Sequence, residues 1–186
     1  MKQPTAFGRL VPRNDWEGDD REYANLSCTD TAAGRMVAWA TGAVNAAGKA
    51  PHLIDRDGRV YRAALHPHDS DGITLEQAQK EVRVVAGLPL VIVRTWPLAK
   101  VKAHLAAGRG LMIAGRYDAL PRAYRYQQRG AFLHRMFVAY TSKPGARLYD
   151  PLNPDVHGYG RWVPPQVIWD FIATLPEYGY VPLQPL

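Results

Sequence analysis

The chain has 186 residues, 47% apolar and 22% charged, with a formal net charge of +6. That is the size and balance of one globular domain. No apolar run approaches the ~20 residues that cross a bilayer, so no membrane insertion is expected. Residues 1–13 carry prolines and charges in place of an apolar segment, so no signal peptide is expected, and synthesis in the cytoplasm follows. The arginines are scattered without a basic run or an aromatic platform, which argues against a nucleic-acid partner.

In chain order, residues 1–23 read as an N-terminal arm, ending in the acidic stretch Glu17 to Glu22. Leu26-Ser27-Cys28-Thr29-Asp30-Thr31 opens a long helix, because Ser, Thr and Asp can accept the unpaired N–H groups of a first turn. Ala32, Met36, Val37, Ala40 and Val44 give that helix one apolar face up to Gly48. Asp57-Gly58 reads as a hairpin tip. Thr74-Leu75-Glu76-Gln77 matches a capping box, with Leu75, Ala78, Val82 and Val85 continuing the helix.

Leu90 to Val93 reads as a short strand, and Leu98, Val101 and Leu105 as a helix ending near Gly108. Gly110 to Gly115 is a buried strand, and Arg116 to Gly130 a polar loop whose Tyr117, Tyr124 and Tyr126 line a cleft or pack on the surface. Phe132 to Thr141 is the longest strand, turning at Lys143-Pro144-Gly145 into Arg147-Leu148-Tyr149. Trp162 and Trp169 read as core, and Pro165 starts a last helix through Ile172. Helices first and strands later predict an α+β domain over residues 24–174, the long first helix packed on an antiparallel sheet. Residues 175–186 are left as a C-terminal tail.

The single cysteine excludes an internal disulfide and thiolate metal pairs. Most free cysteines are small buried hydrophobes, but Cys28 sits at a helix start, where partial positive charge favours a thiolate. A thiol nucleophile needs an imidazole within hydrogen-bond reach and a group to hold the second ring nitrogen. His134 opens the long strand in phase with Met136 and Val138, and Asp150 ends the returning one. A plain hairpin sets Asp150 opposite Phe137, about 10 Å along the strand from His134 at ~3.3 Å per residue. Only a longer loop or a bulge closes that gap. Asn153 and Asp155 are the reserve third members. His66, His68, Asp69 and Asp71 read as a solvated turn, so no metal is expected, and a thiol–imidazole pair needs no cofactor.

Cys28, Asp71-Gly72-Ile73-Thr74-Leu75, Ala106-Ala107-Gly108-Arg109-Gly110, His134, Asp150-Pro151-Leu152 and Trp162 stand in an order that resembles the bacteriocin-processing (double-glycine leader) peptidases and their bacterial and phage relatives, a branch of the papain-like cysteine peptidases. The resemblance spans about residues 24–173. It implies a papain-like cysteine peptidase fold with Cys28, His134 and Asp150 as catalytic triad, acting on a peptide or a peptidoglycan cross-link. In that family Gly usually follows the nucleophile and a Gln stands five or six residues before it. Here Thr29 follows Cys28, and Glu22 and Tyr23 occupy the upstream region, leaving Asn25 as the candidate oxyanion-hole amide. Losing such a donor costs about 2.7–4 kcal/mol of transition-state stabilisation. The alternative expectation is therefore a weakly active or inactive peptidase fold kept as a component of an assembly such as a phage virion or tail, with phage structural proteins as partners. A transglutaminase-like acyltransferase shares the Cys, His, Asp order.

Overall fold

The computed structural model describes residues 28–29, 32–33, 36, 74–86, 90–94, 96–126, 132–143, 145–152, 161–176 and 181–182. Cys28, Thr29, Ala32, Ala33 and Met36 are all helical; Ala32 and Met36 are buried as the apolar spacing predicts, and Ala33 is buried beside them. Helix α1 (Leu75–Ala86) follows. It opens on the expected capping box: the Gln77 N–H donates to the Thr74 hydroxyl at 3.2 Å, and the Thr74 N–H donates to the Gln77 side-chain oxygen at 2.7 Å. Thr74→Ala removes one acceptor from an exposed first turn, so a loss of about 1 kcal/mol in urea unfolding is expected.

Leu90 and Val93 make only isolated bridges, which corrects the expected strand. Helix α1 holds this segment at both ends, since the Gln79 amide donates to the Leu90 carbonyl at 2.6 Å and Arg94 pairs with Glu76 at 2.8 Å. Helix α2 (Leu98–Ala106) stops where Gly108 takes a φ of 74°, a conformation that favours glycine. Strand β1 (Leu111–Arg116) leads through two 3-10 turns, Tyr117–Ala119 and Arg122–Tyr124, to β2 (Leu133–Ser142), then β3 (Gly145–Tyr149) and β4 (Arg161–Val163). Helix α3 (Pro165–Ala173) begins on proline, whose missing N–H would have had no helical partner. Strand β5 (Val181–Pro182) closes the described chain.

The strands form one sheet in the order β4-β3-β2-β1-β5, and every paired strand is antiparallel. The α+β expectation holds. Alternation along the strands sends two sets of side chains to two layers. Met112, Phe137, Ala139 and Tyr149 pack with Ala32, Ala33 and Met36 and with α1 residues Leu75, Ala78 and Val82. Leu111, Ile113, Met136, Val138 and Leu148 pack with Val101 and Leu105 of α2 and with Ile168, Phe171 and Ile172 of α3. The central strands are thus buried on both faces. Trp169 is buried as expected, whereas Trp162 is 40% exposed on the three-residue edge strand β4, which corrects its core assignment. Among the described residues no helix is long and apolar enough to cross a membrane.

Candidate active site

His134 is the second residue of β2 and pairs with Gly115, the penultimate residue of β1, while Asp150 directly follows β3. All three lie at one end of the sheet. The β2–β3 register explains how histidine and carboxylate meet. Phe137 faces Tyr149 and Val138 faces Leu148, but the next pairs are Thr141 with Ala146 and Ser142 with Gly145, so one extra residue bulges out of β2. The bulge places Asp150 in register with Met136, one residue closer to His134 than a plain hairpin allows. The remaining two-residue offset is a diagonal cross-strand step of roughly 7–8 Å between Cα atoms, which a histidine and an aspartate span together.

The result is a bond of 2.7 Å between His134 Nε2 and Asp150 Oδ1, with the two side chains 0% and 1% exposed. The same oxygen accepts the Leu152 N–H at 2.9 Å, which fixes the carboxylate from the backbone beyond the buried Pro151. Around the imidazole stand two aromatic rings. Tyr117 meets it edge-on at 5.0 Å and Phe132 at 5.8 Å, and these two stack on each other at 5.1 Å. The Tyr117 hydroxyl in turn accepts the Tyr126 N–H at 2.7 Å.

Burial in this setting opposes a charged ring, and is the largest influence on it. The Asp150 carboxylate, by charge and hydrogen bond, and the Cys28 side chain, in the same two ways, together outweigh it, so the His134 pKa rises from 6.5 to about 10. Nδ1, the nitrogen not held by Asp150, is buried and makes no hydrogen bond of regular geometry. The Cys28 contact is therefore looser than the Asp150 bond. Cys28 itself is helical and half-buried. The structure thus brings Cys28, His134 and Asp150 together. Asn25, Asn153, Asp155, the acidic stretch Glu17 to Glu22 and the turn holding His66, His68, Asp69 and Asp71 lie outside the described residues. Among the described residues no group of three His, Cys, Asp or Glu side chains is placed to hold a metal ion.

A histidine whose pKa is higher folded than unfolded adds stability that is fully present below about pH 6.5 and is lost as pH rises through about 10. The expected result is a wild-type melting temperature that falls between pH 7 and 10.5 more steeply than that of His134→Gln. Parallel curves would show that the imidazolium contributes nothing to folding.

Sequence reasoning missed two groups. Tyr117, expected to line a cleft or pack on the surface of a polar loop, is fully buried against His134 and stacks on Phe132, to which the sequence assigns only a strand end. The signal available was an aromatic residue at each end of the loop between β1 and a strand that opens on Leu133-His134. The second omission is Arg135, whose Nη1 donates to the Thr29 hydroxyl at 2.9 Å.

No family profile matches the chain, and no curated protein matches it. Among solved structures it is similar to a proposed C39-like peptidase from Bacillus anthracis, with a TM-score of 0.44 and 10% identity. That match covers 62% of this chain and 60% of the other, so the chain spans about three-fifths of that protein's length.

Proposed function

We propose that this chain is a cysteine hydrolase of papain-like fold, with Cys28, His134 and Asp150 as its triad. The observation that carries the reading is the buried 2.7 Å His134–Asp150 bond on an imidazole that the Cys28 thiol also touches. In this mechanism the Cys28 thiol passes its proton to His134 Nδ1 as its sulfur attacks an amide carbonyl carbon, and the imidazolium so formed gives that proton to the departing amine. Neutral His134 then takes a proton from water as it attacks the thioester, releasing the acid and restoring the thiol–imidazole pair. Asp150 holds Nε2–H throughout and keeps Nδ1 aimed at the sulfur.

The substrate proposed is a peptide amide, in a polypeptide or in a peptidoglycan cross-link. Purified protein incubated with cell-wall peptidoglycan and with a peptide library should release new amino groups, slowly, and Cys28→Ser should release none. Equal release by both proteins would remove Cys28 from the chemistry. The absence of a Gln in the Glu22–Tyr23 region favours a second reading, a turnover-deficient fold that serves a phage virion or tail through contacts with its structural proteins. It requires that no substrate is cleaved while the thiol keeps its dependence on His134.

A further inference from the structure

Resting on the triad reading, we infer that Thr29 and Arg135 are positioning residues that set the distance between the Cys28 thiol and the His134 ring. Each is the immediate chain neighbour of one member of that pair, and they are joined across 106 residues by the 2.9 Å bond from Arg135 Nη1 to Thr29 Oγ1. Thr29 is 2% exposed, so its hydroxyl serves the protein and not the solvent. Arg135 pairs with Ala114 beside the Met112–Phe137 pair, on the sheet face that carries Ala32, Ala33 and Met36. It therefore points toward the layer from which the Cys28 helix comes.

The thiol–imidazole contact and the Thr29–Arg135 bond are two rungs between one helix and one strand, leaving β2 on its opposite faces. The first rung is loose and the second is a regular, charge-assisted hydrogen bond, the stronger kind. A helix lying on apolar side chains alone can slide, because packing of alanine and methionine is not directional. One directional bond beside the nucleophile removes that freedom. Thr29 stands where the resembled peptidases carry glycine, which has no side chain to make this bond. The substitution that reads as damage to an active site thus supplies a fixed point that glycine does not.

The experiment measures the rate of Cys28 alkylation by iodoacetamide against pH in the full chain, for wild type, His134→Ala, Thr29→Val, Thr29→Ser, Arg135→Met and the Thr29→Val/Arg135→Met double variant. Thr29→Val and Arg135→Met should each lower the rate at pH 6–7 about ten-fold, the double variant no further, and Thr29→Ser should recover it to within about two-fold. Circular dichroism checks folding, and if Thr29→Val does not fold, Arg135→Met against Thr29→Ser decides the same question. A rate that falls with His134→Ala but not with Thr29→Val or Arg135→Met overturns the positioning role and leaves the triad standing. A rate unchanged by His134→Ala overturns the triad reading itself. Additive losses in the double variant, or no recovery in Thr29→Ser, also reject the shared bond.

Discussion

Asp150→Ala is expected to lower turnover by about 10³- to 10⁴-fold and to destabilise the fold by about 3–5 kcal/mol. Both effects come from one oxygen. Asp150 Oδ1 accepts His134 Nε2–H and the Leu152 N–H, and the pair is sealed from water, so its removal leaves a buried imidazole and a backbone N–H without their acceptor. Burial then acts on His134 without its main counterweight, and the ring sheds its proton well below the wild-type value near 10. A neutral, unoriented imidazole cannot protonate the leaving amine. Urea unfolding and the rate of amine release measure the two losses, and Asp150→Asn separates them: the amide can still accept from Leu152 but brings no charge. A variant that kept wild-type turnover would show that another group orients His134.

Gly115→Val is expected to be the other severe change, destabilising by about 1–3 kcal/mol or more through overpacking. Gly115 lies opposite His134 on the neighbouring strand. Any Cβ there would come within 3.0 Å of the Phe171 carbonyl oxygen and of two carbons of its ring. The carbonyl cannot yield cheaply, because the Thr174 hydroxyl donates to it at 2.6 Å while accepting the Arg116 N–H at 2.8 Å. That pair of bonds ties the end of α3 to the end of β1. The clash therefore has to be relieved by pushing β1 or α3 away, next to the imidazole. Gly115→Val should lower thermal stability and slow the His134-dependent alkylation of Cys28 together. Loss of stability with full thiol reactivity would show that the strand yields without disturbing the site.

Local chemistry made part of this fold readable in advance. The Thr74 capping box, the stop at Gly108 and the proline start of α3 each depend on residues within four positions of one another. The positions of Cys28, His134 and Asp150 were legible as residue types on suitable elements. Their meeting was not, since strand alternation gives a face but no register. The missing quantity was the single residue that bulges from β2 between Val138 and Thr141, and nothing in Ala139-Tyr140 announces it. Trp162 shows a related limit: its apolar character matched a core position, but β4 is a short edge with room for the ring to remain outside, beside Tyr140 and Arg147. Tyr117 errs in the opposite direction, lying in a polar stretch yet buried against His134. Arg135 and Thr29 could not be paired from sequence, because neither position signals a partner 106 residues away.

The separations along the chain also impose an order on assembly. His134 and Asp150 are only 16 residues apart and belong to adjoining strands of one hairpin, so closing that loop costs little conformational entropy. Bringing Thr29 to Arg135 closes a loop more than six times longer. Contacts of short range form early in folding and those of long range late. The histidine–carboxylate pair is thus built into a hairpin that can organise early, and Cys28 joins it only when the first helix docks. Until then the newly made chain holds Cys28 apart from the His134–Asp150 pair.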